Sequence, residues 1–208
     1  MHALVIPVKG FAGSNMANMR LAGVLTASER RELGIAMLED ILEATSGMAT
    51  FVVTDDPDAR SVAKRCHLVD DPGLGLNPAI DAATECAMAA GAAATLVLPC
   101  DVPLVQISDL ETILNIADPV AVVASQDRGT NALSRRPADC IPALFGPMSA
   151  DAHIAAAARL GLAATVLELD SLALDIDGPK DWSALGSSGQ RRRSVALARS
   201  LSRLAQSS

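Results

Sequence analysis

Four places in the sequence carry residues suited to phosphate or metal chemistry, and most of them follow short apolar runs. In an open α/β sheet a ligand sits beyond the carboxyl ends of the strands, so polar residues placed there are the ones able to act. Lys9 follows Leu4-Val5-Ile6-Pro7-Val8 and opens a glycine-bearing loop that runs to Arg20. Backbone amides and these two bases could hold a polyphosphate. The loop has neither the Gly-Lys-Ser/Thr of a Walker A loop nor a dinucleotide Gly-x-Gly-x-x-Gly, and a lone lysine at a strand end is ordinarily just solvated. Asp101, in Leu98-Pro99-Cys100-Asp101-Val102-Pro103-Leu104, stands directly after the most apolar strand. A carboxylate there must be solvated, paired or bound to a metal.

Asp175-Ile176-Asp177 puts two carboxylates on one face of an extended segment, because side chains alternate with period two. Paired acids repel unless a cation lies between them. An Asp-x-Asp is also common in surface loops, so the pair becomes a magnesium cage only if the chain folds it against Asp101. The fourth place is a set of glycine loops, Pro72-Gly73-Leu74-Gly75-Leu76-Asn77, Arg128-Gly129-Thr130-Asn131 and Phe145-Gly146-Pro147-Met148-Ser149. Glycine permits close backbone approach to a ligand. Ser149 opens a helix whose N-terminus could receive a phosphate or carboxylate, although ordinary turns look the same. His153, one turn further, reads as a structural histidine.

The elements that must position these residues alternate between strand and helix. Strands are expected at 4–8, 51–54, 66–69, 95–98, 120–124, 131–134 and 164–167. Helices are expected after a Thr26 or Ser28 cap, over 57–65 and 78–90, after a Ser108 cap, and over 149–160. Thr95-Leu96-Val97-Leu98 is apolar on both faces and belongs in the centre of a parallel sheet. Alternation of this kind means a single-domain α/β fold over residues 1–186. Residues 187–208, rich in serine and arginine, read as a mobile or weakly helical tail.

Composition narrows the classes. Half of the 208 residues are hydrophobic and 20% are charged, which excludes wholesale disorder and fibrous repeats. Five of the 17 basic residues lie beyond Gly186 with no acid there, so residues 1–186 carry 12 bases against 24 acids. A body that acidic repels nucleic acid. Cys66, Cys86, Cys100 and Cys140 are widely spaced, without the pairing of a zinc site or a disulfide framework. The chain shows no apolar run of the roughly 18 residues a membrane helix needs and no leader pattern, so a cytoplasmic location is expected.

Taken in order, Pro7-Val8-Lys9, PGLGLN, LPCDVPL, DRGTNAL, FGPMS with His153, and LDIDGP resemble the coenzyme F-420 guanylyltransferase family over about residues 3–185. The resemblance implies a nucleotide-diphospho-sugar-transferase-like (Rossmann-like) fold with a mixed, mostly parallel sheet. It also implies transfer of GMP from GTP to a phosphorylated three-carbon acid, with pyrophosphate released. By position, Asp101, Asp175 and Asp177 match metal-binding aspartates, for Mg2+. Thr130, Gly146 and Ser149 match residues that hold the acid. Lys9 and Arg20 fall on the basic loop near the GTP phosphates, and Gly73, Gly75 and Asn77 on the loop that approaches the nucleotide. One departure is visible: Ala17-Asn18-Met19-Arg20-Leu21 has asparagine where the family has lysine, in a longer loop. It bears on the phosphate contacts or on which acid is used.

Two other readings stand beside this one. A molybdopterin or sugar-phosphate nucleotidyltransferase of the same fold would ordinarily begin with a Gly-Gly-x-Gly/Ser-x-Arg loop, which this chain lacks. A non-catalytic GTP-binding relative would bind without releasing pyrophosphate. Among acceptors, the alanine-rich acidic composition tilts towards phosphoenolpyruvate or 3-phospho-D-glycerate over 2-phospho-L-lactate. A homodimer is the default oligomer, and the resemblance implies a transient partner transferase that passes the product to the deazaflavin.

Overall fold

The computed structural model describes residues 1–11 and 19–206. Seven strands form one sheet: β1 (His2–Pro7), β2 (Ala49–Val53), β3 (His67–Val69), β4 (Ala94–Val97), β5 (Val120–Ala124), β6 (Thr130–Arg135) and β7 (Ala164–Leu167), in the order β3-β2-β1-β4-β6-β5-β7. Only β6 runs antiparallel to its neighbours. This is the mixed, mostly parallel sheet that the family resemblance implies. Among the described residues seven α-helices accompany it: α1 (Ala27–Ala44), α2 (Pro57–Val62), α3 (Leu76–Ala89), α4 (Ile107–Leu114), α5 (Ser149–Arg159), α6 (Pro179–Ser187) and α7 (Arg193–Gln206). None of the described helices is long and apolar enough to cross a membrane.

The two sheet faces follow from strand periodicity. Leu4 and Ile6 of β1 face a core shared with Leu38 and Ile41 of α1 and Leu110 and Ile113 of α4. Ala3 and Val5 face the opposite core, with Ile80 and Ala83 of α3 and Ala157 of α5. Each fully buried leucine or isoleucine contributes roughly 2 kcal/mol of transfer free energy, so a one-residue slip of β1 would exchange both sets of contacts.

Local signals explain most helix starts. Thr26 caps α1, its hydroxyl accepting from the Glu29 amide at 3.3 Å while Glu29 accepts from the Thr26 amide at 2.7 Å. The expected Ser108 cap of α4 is replaced by Gln106. Asp109 reaches back to the Gln106 amide at 2.7 Å, which places Ser108 inside the first turn. Gly34 lets α1 approach Phe11, for a Cβ there would lie 2.5 Å from the phenylalanine ring.

Residues 187 onward differ from the mobile or weakly helical tail expected. They lead into α7, which lies against α1 and α6 and buries Val195 and Ala198 with Leu33, Met37, Trp182 and Leu185. The physical reason is Asp40, a fully buried carboxylate on α1. It accepts from the Arg193 amide at 2.8 Å, the Ser194 amide at 2.9 Å and the Ser194 hydroxyl at 2.6 Å. The cap of α7 thus comes from a residue more than 150 positions away, where no local sequence pattern could reveal it.

Candidate active site

The carboxyl end of β4 runs into Pro99-Cys100-Asp101, and a single backbone bond decides what lies opposite. The Ile176 amide donates to the Asp101 carbonyl at 2.8 Å. Ile176 is fully buried in the core under α1 and α6. The alternation anticipated from sequence therefore turns Asp175 and Asp177 to the other side, both half-exposed. The pair does fold towards Asp101. Burial pushes the Asp101 carboxyl up to about 6; Asp175 and Asp177 push in the same direction, against the positive charge of Lys9. Burial also raises Asp175, opposed by a hydrogen bond from Asn131. Arg20 forms an ion pair with Asp177.

Among the described residues, no three carboxylate, imidazole or thiolate side chains stand arranged as a ready-made metal cage. The donor chemistry nevertheless fits a hard dication. Oxygen ligands alone converge there, and their mutual repulsion is the condition a divalent cation relieves. Arg20 at present answers the charge of Asp177.

The second half of the site lies at the β5–β6 turn. Because β6 is reversed, its first residue, Thr130, emerges at the same sheet edge as the ends of the parallel strands. The register shifts there, with Val123 opposite Ala132 and Ala124 opposite Thr130, so Asn131 is the extra residue of a bulge. Its amide donates to the Leu172 carbonyl at 2.7 Å, which ties this turn to the segment carrying Asp175.

Thr130 also meets Ser149 and His153. The Ser149 and Thr130 hydroxyls are 2.9 Å apart, and Thr130 Oγ1 lies 3.1 Å from His153 Nδ1. His153 is fully buried, and burial together with the charge of Arg135 lowers its pKa to about 4. Gly146 (φ 147°) and Met148 (φ 55°) turn the chain into α5. The first amides of that helix are already used, Ser149 on the Gly146 carbonyl at 3.2 Å and Ala150 on the Arg128 carbonyl at 3.1 Å. The hydroxyls of Thr130 and Ser149, both buried, are bonded to each other beside these spent amides. Arg128, itself at φ 65°, is held by Asp151.

Gly73 and Gly75, at φ 71° and 103°, lead into the N-terminus of α3, where Gly75 is the cap and no side chain satisfies the first amides. Asn77 is differently engaged. It accepts from the Phe145 amide at 2.7 Å and donates to the Phe145 carbonyl at 3.1 Å, so its side chain joins the two loops. Asn18 lies outside the described residues. The sequence placed Asn131 in a candidate loop and read His153 as structural, but gave neither their bonds nor Asp127, whose charge acts on Asp175. For Asn131 the usable signal was its place after a glycine turn at the start of a strand.

A strand-end carboxylate group, a half-open glycine loop before a helix and a mixed sheet with one reversed strand are consistent with the nucleotidyltransferase class, which the named relatives establish. Solved structures agree on the fold. A protein from Desulfovibrio desulfuricans G20 assigned as a nucleotide-diphospho-sugar transferase superposes with a TM-score of 0.81 at 18% identity, covering 99% of this chain and 97% of that one. The family model described as "Guanylyl transferase CofC like" matches residues 2–205, and the chain belongs to that family. It is 36% identical to the phosphoenolpyruvate guanylyltransferase of Rubrobacter xylanophilus, over 89% of this chain and 93% of the relative. It is 32% identical to the 3-phospho-D-glycerate guanylyltransferase of Phenylobacterium zucineum, over 94% and 95%.

Proposed function

We propose that this chain transfers GMP from GTP to phosphoenolpyruvate or 3-phospho-D-glycerate, releasing pyrophosphate, as a step in making coenzyme F-420. The observation that carries the reading is the bond from the Ile176 amide to the Asp101 carbonyl, which sets Asp101, Asp175 and Asp177 at one corner. In the reaction a phosphate oxygen of the acid attacks the α-phosphorus of GTP in line. The new O–P bond forms as the bond to the β-phosphate oxygen breaks, and that electron pair leaves with pyrophosphate. The nucleophile is already an anion, so no side chain needs to remove a proton. Catalysis then rests on position and electrostatics.

Each group has a part in this scheme. Lys9 and Arg20 bind GTP phosphates, the half-open α3 N-terminus with Gly73 and Gly75 approaches the nucleotide, and Asn77 braces that loop through Phe145. Thr130, Gly146 and Ser149 hold the acid. Asp101, Asp175 and Asp177 would hold Mg2+, which when bound neutralises charge on the phosphate oxygens. Lys9, opposing the acidic corner from the segment after β1, keeps the two negatively charged substrates from being expelled. The enzyme works in the cytoplasm, as a homodimer, and hands its product to a transferase acting on the deazaflavin.

The test is pyrophosphate release from GTP with Mg2+, offering phosphoenolpyruvate, 3-phospho-D-glycerate and 2-phospho-L-lactate separately. A deazaflavin-coupled transferase draws product away. Release that requires one acid and fails with ATP is expected. GTP binding without release with any acid refutes the reading.

A further inference from the structure

His153 is fully buried, and both of its ring nitrogens have partners. The Leu144 amide, which can only donate, points at Nε2 at 2.9 Å. Nε2 is therefore the unprotonated nitrogen, and the ring proton of the neutral imidazole is on Nδ1. Nδ1 faces Thr130 Oγ1 at 3.1 Å, so His153 donates and Thr130 accepts. An imidazolium would need an acceptor at Nε2, where the Leu144 amide already stands. Burial and the nearby Arg135 charge also disfavour it.

A proton count follows. Thr130 and Ser149 share one hydrogen bond at 2.9 Å, which consumes one of their two hydroxyl protons. Since Thr130 takes a proton from His153 and gives none back, the other hydroxyl proton has no partner within the trio. With the opposite tautomer, Thr130 would donate into the ring, and keeping the Thr130–Ser149 bond would leave no proton over. The neighbouring Ser149 and Ala150 amides are spent on the Gly146 and Arg128 carbonyls.

We infer that His153 is a positioning residue whose Nδ1–H fixes the Thr130–Ser149 pair as a hydrogen-bond donor to an anionic oxygen of the phosphorylated acid. This rests on the reading of Thr130 and Ser149 as contacts of that acid. The Leu144 amide sets the tautomer, and His153 acts only through Thr130.

Two measurements on the full chain test this. Histidine 15N spectra of the wild-type protein read the tautomer without any substrate; a protonated Nδ1 and an unprotonated Nε2 at His153 are expected, and the reverse overturns the inference. Kinetics then separate positioning from packing. His153→Gln keeps an acceptor near Leu144 but loses the donor to Thr130, whereas His153→Asn keeps a donor at the Nδ1 position. His153→Gln is expected to raise KM for the acid about tenfold to a hundredfold, the worth of a hydrogen bond to a charged group, with KM for GTP unchanged. His153→Asn restores most of that loss. In a Thr130→Val background the His153→Gln effect disappears. Equal losses in the Gln and Asn variants, or additive losses with Thr130→Val, overturn the inference; if the variants fail to fold, the tautomer decides. A wild-type protein inactive with every acid overturns the guanylyltransferase reading itself, and the substrate half of this inference with it, a result distinct from any difference between variants.

Discussion

Replacing Asp40 by alanine tests whether α7 belongs to the folded body. The carboxylate accepts from two backbone amides and one hydroxyl, and both Asp40 and Ser194 are fully buried. Loss of a helix cap costs about 1 kcal/mol, and buried donors left without a partner cost about 1–3 kcal/mol more. Water can reach the Arg193 side, which is half-exposed, so the sum should fall near 3 kcal/mol, not at the upper bound. The Arg193 ion pairs to Glu39 and Glu43 are surface pairs, each worth below about 1 kcal/mol. Asp40→Ala should therefore lower the urea-unfolding free energy by about 3 kcal/mol, Ser194→Ala by about 1 kcal/mol, and Arg193→Ala by less than either. Trypsin should cut Asp40→Ala rapidly at the arginines of α7 while the rest of the chain stays resistant. An Asp40→Ala protein as stable and as trypsin-resistant as wild type would refute the docking of α7 through this carboxylate.

Other expectations concern the site more directly. Asp101→Asn should lower turnover by about 100-fold or more with an unchanged circular dichroism spectrum; near-normal turnover would remove Asp101 from the phosphate chemistry. Gly34→Ala places a Cβ within 2.5 Å of Phe11, so overpacking of about 1–3 kcal/mol outweighs the roughly 1 kcal/mol of gained helix propensity. A lower melting temperature and a raised KM for GTP, through the adjoining Lys9 segment, would show it. His153 has its pKa lowered to about 4 when folded, against 6.5 when unfolded. The unfolded chain then takes up a proton first as pH falls. This contribution is complete above about pH 7 and declines by about 3 kcal/mol as pH drops to 4. Denaturant curves from pH 7.5 to 4.5 should fall more steeply for wild type than for His153→Asn, and parallel curves would contradict the burial of a neutral imidazole.

What the sequence disclosed and what it hid divide along physical lines. Strands such as Leu4–Val8 and Thr95–Leu98 announce themselves because burial on both faces demands continuous apolar residues. The Asp175-Ile176-Asp177 alternation was equally legible, and the buried Ile176 bears it out. Its approach to Asp101 was not, for it depends on a backbone bond across 75 positions that no side-chain pattern records. Helix α6, and the docking of a tail read as mobile or weakly helical, escaped for a related reason. Serine and glycine weaken the local helix signal of α6, and what holds both helices in place is Asp40 and the core around Trp182. His153 was read as merely structural because one histidine on a helix says nothing of its tautomer until the Leu144 amide opposite it is known.

The place of β6 between β4 and β5 has a consequence for the chain during synthesis. Strands β1 to β4 can pair with one another as they emerge, in the order β3-β2-β1-β4. The outer edge of β4 must then wait for residues 130–135. At roughly 5–20 residues per second, that wait lasts on the order of 2–8 s. Throughout it, Thr95, Leu96 and Val97, apolar on both faces, present an open row of backbone donors and acceptors, the template on which nascent sheets aggregate. Strand β5, made earlier, cannot close that edge itself. It can only fold back as a hairpin with β6 and be delivered with it, so the Gly129–Thr130 turn that brings Thr130 to Ser149 and His153 is also the piece that seals the growing sheet.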